Sequence, residues 1–159
     1  MDIRSRQDAD LVPLVEVLRR THEGGYPARW PVDPARWLSP PGFLAAWTAL
    51  VGDVPVGHVG LAAPDPDAPP LVTRLLVHPD HRGRGIADAL MATVEATAGV
   101  LAGPARGLQV LRLDVTEETP GAWRLYGRRG WQLTGRRPAD WRKPDGSVPV
   151  VRWYEKRLG

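Results

Sequence analysis

Val77-His78-Pro79-Asp80-His81-Arg82-Gly83-Arg84-Gly85-Ile86-Ala87 joins an apolar strand to a helix through a glycine-bearing turn lined with positive charge. Gly83 and Gly85 carry no Cβ, so the oxygens of a ligand can reach the backbone N–H groups. The unpaired N–H groups that open the following helix add a partial positive charge, and Arg82 and Arg84 add full charges with forked donors. A turn of this kind suits a diphosphate. Spacing removes two well-known phosphate loops. Walker A requires Lys-Ser/Thr after its second glycine, where Ile86-Ala87 stands, and the dinucleotide fingerprint requires Gly or Ala where Asp88 stands. What remains at this level is a different diphosphate loop, or an Arg-rich turn that binds nothing.

Composition bounds the rest. A chain of 159 residues suits one domain with a real core, and residues 1–159 are read as a single domain. There is no Cys, no apolar run long enough to span a bilayer and no cationic-then-apolar leader at Met1-Asp2-Ile3-Arg4, so a cytoplasmic location is expected, with no membrane partner. The sequence pI of about 9.8 is high, yet the formal net charge is only +3 and Lys143 and Lys156 are the only lysines. Arginine is spread along the chain rather than gathered, which argues against nucleic acid and fits an anionic cofactor. No metal-ligand set is assigned.

Strands and helices alternate without an internal repeat. Ile3-Arg4-Ser5 is a short first strand. Leu11, Leu14, Val15 and Leu18 share a helical face, with Asp8 or Asp10 as the cap and Pro13 in the first turn. His22 to Gly42 is a long Gly/Pro loop carrying Tyr26, Trp30 and Trp37, with one short helix at Pro34 to Leu38. Phe43 to Val51 and Val54 to Ala63 form a hairpin turning at Gly52-Asp53, and Pro64 to Pro70 connects it to the apolar strand Leu71 to Val77. A helix carrying Ile86, Leu90 and Val94 follows and ends near Gly99 to Gly103, and Leu108 to Thr116 is the next strand. Thr119, Pro120 and Gly130 bracket another helix, and Trp131 to Thr134 and Val148 to Arg157 close the sheet across a polar loop.

Arg82, Gly85 and Ala87 match Arg/Gln-x-x-Gly-x-Gly/Ala, and Ala122, Leu125, Tyr126, Gly130 and Trp131 match Asn-x-x-Ala-x-x-Leu/Phe-Tyr-x-x-x-Gly-Phe. On these two motifs, and on the order of elements from end to end, the chain resembles the GNAT family of N-acetyltransferases. The resemblance implies an α/β fold with a mixed, largely antiparallel central sheet and helices on both faces. It implies acetyl-CoA as cosubstrate and direct acetyl transfer to an amine, with no covalent enzyme intermediate. It places Leu75, Leu76 and Val77 along the pantetheine arm, where two parallel strands splay apart, with a backbone N–H near Val77 for the oxyanion. Arg82, Gly83, Arg84, Gly85, Ile86 and Ala87 hold the diphosphate. Thr119 stands where the family has Asn; its hydroxyl can still cap the helix, while an amide contact to the cofactor is lost.

Tyr126 matches the family's general acid, a phenol beside the thioester sulfur; the plain alternative is a core aromatic. The base is open among Asp114, Glu117, Glu118, His58 and water, because Val72-Thr73-Arg74 lacks the carboxylate often found there, and Asp114 has Arg112 nearby as an ion-pair partner. Tyr26, Trp30, Trp37 and Trp47 either wall the acceptor pocket or pin a long loop to the body. The expected acceptor is a small-molecule amine, or alternatively a peptide N-terminus or lysine, and a homodimer is compatible with this reading. Two rivals are a non-catalytic acyl-CoA-binding domain, which would not need the phenol, and a nucleic-acid module built from arginines and tryptophans.

Overall fold

A computed structural model describes residues 1–102 and 110–158. In chain order its elements are β1 (Asp2–Ser5), α1 (Leu11–Glu23), α2 (Pro34–Trp37), β2 (Phe43–Val51), β3 (Val54–Ala62), β4 (Leu71–Val77), α3 (Ile86–Ala102), β5 (Val110–Thr116), α4 (Pro120–Arg128), β6 (Gln132–Pro138) and β7 (Val150–Arg157). The strands form one seven-stranded sheet in the order β1-β2-β3-β4-β5-β7-β6. Every pairing is antiparallel except β4 with β5, which α3 joins as a crossover. The α/β architecture, mixed and mostly antiparallel, is the one the sequence predicts.

Side-chain alternation puts apolar groups on both faces. On one, Leu14, Val17 and Leu18 of α1 pack with Leu38 and with Leu76 of β4. On the other, Ile86, Leu90, Met91 and Val94 of α3 pack with Trp47, Val59, Leu111, Leu113 and the α4 residues Leu125 and Tyr126. Burying each such Leu or Ile contributes roughly 1.5–3 kcal/mol. Pro13 does fall in the first turn of α1, and Asp10 stands at its N-cap, but the Asp10 carboxylate does not cap the helix. It is buried instead among Arg4 Nη1 (2.7 Å) and Nη2 (2.9 Å), Gln7 N (2.8 Å) and Thr48 Oγ1 (2.9 Å), all donating to it. Arg4 and these other donors hold its pKa down at about 2 and tie β1, α1 and β2 together.

Four sequence readings are adjusted. The buried face of α1 is centred on Leu14, Val17, Leu18 and Thr21, with Leu11 and Val15 only partly covered. Strand β6 runs on to Pro138 where a loop was expected; it is an exposed sheet edge and needs no apolar alternation. Strand β5 is described from Val110, so Leu108 and Gln109 lie outside the described residues, as does Gly103 at the expected end of α3. Trp47 is 5% exposed and belongs to the core, because it faces α3 from β2 opposite Val59.

Candidate active site

Between β4 and α3 the chain makes the turn that the sequence singles out. Gly83 and Gly85 have φ of +77° and +79°, a left-handed conformation that side chains with a Cβ resist, and a Cβ built on either would meet open space. The backbone N–H groups from Gly83 through Asp88 find no acceptor among the described residues. Arg82 and Arg84 are exposed at the same turn, and Arg84 Nη1 lies 3.2 Å from His81 Nδ1. Ile86 is buried and anchors the turn to the core, with Ala87 packed beside it. Free amides, a helix start and two guanidiniums face one open space, which is what a diphosphate requires.

The strand leading into this turn is paired on one side only. β4 and β5 share a single bridge, Leu71↔Arg112, where Arg112 N donates to Pro70 O at 2.9 Å. Beyond it the two strands splay, leaving the β5-facing edge of Leu75, Leu76 and Val77 without a strand partner among the described residues. His78 N donates to Val56 O on β3 at 2.8 Å, so by alternation the N–H of Val77 points the other way, into the splay. The Leu76 side chain is buried against α1 and its backbone groups face His58 on β3, so the free edge is offered by Leu75 and Val77.

A bulge sits at the middle of β4. The β3 register steps from His58↔Leu76 to Gly60↔Thr73, and Arg74 takes φ +58°, the only positive φ at a described residue other than glycine. His58 holds this bulge. It is fully buried; its Nδ1–H donates to Arg74 O at 2.8 Å, and its Nε2 accepts from Arg6 Nη1 at 3.1 Å. Burial lowers the imidazole pKa from 6.5 to about 4, and the Arg6 and Arg74 charges act the same way. His58 is therefore neutral and committed at both nitrogens, a positioning residue rather than a base.

The linkage sign follows: the unfolded chain binds a proton below pH 6.5 that the folded chain refuses until about pH 4, so stability is lost as pH falls across that window. Asp10 contributes a separate loss only as pH falls from 3.8 through about 2. His58→Gln, which keeps one donor and one acceptor, is expected to flatten the decline in melting temperature between pH 6.5 and 4.5. An equal decline in parent and variant rejects this account.

Tyr126 lies on α4. It is 6% exposed, its ring centroid 6.3 Å from that of Trp131 and 6.1 Å from that of Tyr154, and its hydroxyl has no hydrogen-bond partner among the described residues. Burial raises the phenol pKa, and the neighbouring Tyr26 and Asp114 raise it further, so the proton stays on oxygen. Glu95 on α3 fixes this end of the helix by accepting from Arg129 Nε (2.8 Å), Trp131 Nε1 (3.3 Å) and Lys156 Nζ. Arg129 Nη1 also pairs with Asp88 in the first turn of α3, at 2.9 Å, so α4 and the phosphate turn share one frame. Thr119 corrects an expectation. Its Oγ1 donates to Thr116 O at 2.7 Å and does not cap α4, because that bond turns the hydroxyl back toward the end of β5 and away from the helix N–H groups.

The candidate bases separate clearly. Glu117 is held by Arg136 and by Arg152 Nε (3.1 Å), and the Arg136 hydrogen bond foremost keeps its carboxyl below the ordinary range. Glu118 accepts from Lys143 Nζ at 2.8 Å. Asp114 has no ion-pair partner among the described residues: Arg112 turns instead toward Glu155, 3.9 Å away, and lies over the Trp153 ring at 4.7 Å. Desolvation by the surrounding protein raises the Asp114 pKa although its side chain remains exposed. Of the aromatics, Tyr26 and Trp37 meet edge to face at 6.1 Å, and the Arg74 guanidinium lies 3.9 Å over the Trp37 ring. Trp30 packs on His22 instead, at 5.5 Å.

A parallel strand pair that splays beside a glycine-bearing turn of free amides, with a buried phenol on a later helix, is the arrangement expected in enzymes that transfer an acyl group from coenzyme A. The sequence model of the acetyltransferase (GNAT) family matches residues 11–131, and the chain belongs to that family. It is an acetyl-CoA-dependent N-acetyltransferase. A 57-residue stretch is 46% identical to the mycothiol acetyltransferase of Kineococcus radiotolerans; it spans 36% of this chain and only 16% of that relative. Among solved structures, the ribosomal-protein-alanine N-acetyltransferase of Brucella melitensis superposes with a TM-score of 0.78 at 20% identity, covering 99% of this chain and 100% of that one. The putative acetyltransferase yncA of Salmonella typhimurium, solved with acetyl-CoA, gives 0.78 at 19% identity, covering 100% of this chain and 94% of that one. One of these proteins is named for a small molecule and another for a protein substrate, so the family leaves the acceptor open. No helix among the described residues is long and apolar enough to cross a membrane.

Proposed function

We propose that this enzyme acetylates a small-molecule amine, with Tyr126 as the general acid. The observation that carries the acid is the buried Tyr126 hydroxyl, which lacks a partner among the described residues although buried phenols usually have one. The Arg82–Ala87 turn holds the diphosphate, the free edge at Leu75 and Val77 receives the pantetheine arm, and the Val77 N–H faces the thioester carbonyl. Thr119 is left with its oxygen lone pairs as the only side-chain contact it can offer the cofactor. Acetyl-CoA supplies an activated acyl carbon: the C–N bond forms as the C–S bond breaks, and the departing sulfur takes the Tyr126 proton. In so dry a site the thiolate is disfavoured as strongly as the phenolate, so the raised phenol pKa does not prevent that transfer.

What favours a small molecule is the cluster in which Trp37 meets the Tyr26 ring on one side and the Arg74 guanidinium on another, a cation and aromatics sized for a small acceptor. A panel of small amines and short peptides assayed for thiol release, with the product confirmed by mass, tests the reading. Acetylation of peptides alone would overturn it. Within that cluster, Trp37→Ala is expected to raise the Michaelis constant for the amine about 3- to 30-fold, the range of a lost cation–π contact. Trp30→Ala is expected to change it much less, since Trp30 packs on His22. Thermal melts run beside the kinetics separate this from a structural role: a large fall in melting temperature with an unchanged Michaelis constant for Trp37→Ala would remove that residue from the pocket.

A further inference from the structure

Across the cleft from the cofactor turn stand two opposite charges that do not meet. The Arg74 guanidinium is fixed on two sides: it lies over the Trp37 ring at 3.9 Å, and its Nε donates to Trp37 O at 3.1 Å. No carboxylate lies within 4 Å of it among the described residues. Asp114 on β5, beyond the splay, is near enough for each charge to act on the other, yet it too lacks an ion-pair partner. Leaving a rigid, partly buried guanidinium without a carboxylate partner is costly, whereas the exposed Asp114 carboxylate stays hydrated and free to meet a ligand. The backbone adds a second cost, since a long side chain occupies a left-handed position that Gly or Asn would fill with less strain. Both costs fall at the bulge beside the free edge of β4. Arg74 also lines a depression of about 510 Å³ with Arg36, Trp37, Asp33 and three prolines, which gives an acceptor room on its cationic side. Asp33, whose carboxylate accepts from Arg36 N at 3.1 Å as the cap of α2, keeps its charge but is outnumbered there by the Arg36 and Arg74 guanidiniums.

We infer, resting on the proposal that a small amine enters from this face, that the acceptor is a zwitterion of the amino-acid type: its anion binds Arg74 while its amine faces Asp114. Arg74 then supplies two donors in the fork that a carboxylate matches, and Tyr26 and Trp37 cover the acceptor's side chain. The bound ammonium first gives up one proton to solvent, and the acceptor reacts as the neutral amine. As the C–N bond forms and the C–S bond breaks, the proton released from nitrogen passes to the Asp114 carboxylate and the Tyr126 proton passes to sulfur. Exchange with water restores both groups.

The test uses matched trios: an α-amino acid, its decarboxylated amine and its primary amide, each assayed for thiol release with the unmodified enzyme. At least one trio should favour the amino acid by about 10- to 100-fold in kcat/KM, the range of a hydrogen bond to a charged group. Arg74→Gln should bring that ratio close to one, and Arg74→Lys should recover part of it. Acetyl-CoA calorimetry on each variant reports whether the fold and the cofactor site survive. Amines or amides used as well as the amino acids in every trio, or a preference that survives Arg74→Gln, would overturn the inference while leaving acetyl transfer to small amines intact. Thiol release with no member of any trio, despite acetyl-CoA binding, would overturn that underlying proposal and the inference with it.

Discussion

Gly85→Asp is expected to abolish measurable acetyl-CoA binding while the protein stays folded. A Cβ at Gly85 meets nothing within 4 Å, so the aspartate fits sterically and its cost to the fold is the left-handed backbone, about 1–2 kcal/mol. Its carboxylate would lie among the unpaired N–H groups of Gly83 to Asp88, where it would accept their hydrogen bonds in place of a phosphate and repel the remaining phosphate charge. Losing two such charge-assisted bonds corresponds to a weakening of about 100-fold or more. Gly85→Ala carries the same backbone strain without the charge and should fall between parent and aspartate. Calorimetry of all three proteins, with melts as the folding control, decides the matter. Parent-like affinity in the aspartate variant would remove the diphosphate from this turn.

Tyr126→Phe is expected to lower turnover about 100- to 10,000-fold, the range for loss of a positioned proton donor. The hydroxyl makes no hydrogen bond within the described protein, so its removal strands no partner, and the ring keeps its packing on Trp131 and Tyr154. Melting temperature and acetyl-CoA affinity should therefore barely move. That combination distinguishes a reacting phenol from a core aromatic. Single-turnover rates are the measurement to use, because slow product release can mask a chemical defect. An unchanged single-turnover rate in the variant would return Tyr126 to the core.

Local chemistry explains what could be read from the sequence. The phosphate turn was legible because glycines and arginines at fixed spacing have few other uses, and α4 was legible because Thr119-Pro120 and Gly130 mark both of its ends. The bulge was not. Val72-Thr73-Arg74-Leu75 contains no glycine and reads as unbroken strand, so the left-handed residue at Arg74 becomes visible only in the β3 register. His58 was weighed as a base because a lone histidine carries no sign of what will surround it; two long-range partners, Arg6 and the Arg74 carbonyl, settle its state. The Glu95, Arg129 and Lys156 cluster is of the same kind, joining α3, α4 and β7 across separations that local periodicity cannot report. Trp47 shows the opposite error, an aromatic credited to a pocket because the side of the sheet it faces depends on a strand pairing that the sequence leaves unstated.

Among the described residues the single Leu71↔Arg112 bridge makes the sheet two ladders joined at one rung, β1 to β4 on one side and β5 to β7 on the other. With acetyl-CoA seated in the splay as proposed, the cosubstrate would act as a strut between them, and the native protein would gain the free energy of that occupancy, about 2.7 kcal/mol at a hundredfold excess over the dissociation constant. Resistance to unfolding and proteolysis thereby becomes coupled to acetyl-CoA supply: a starved cell would hold a looser, shorter-lived enzyme, and a well-fed cell a sturdier one.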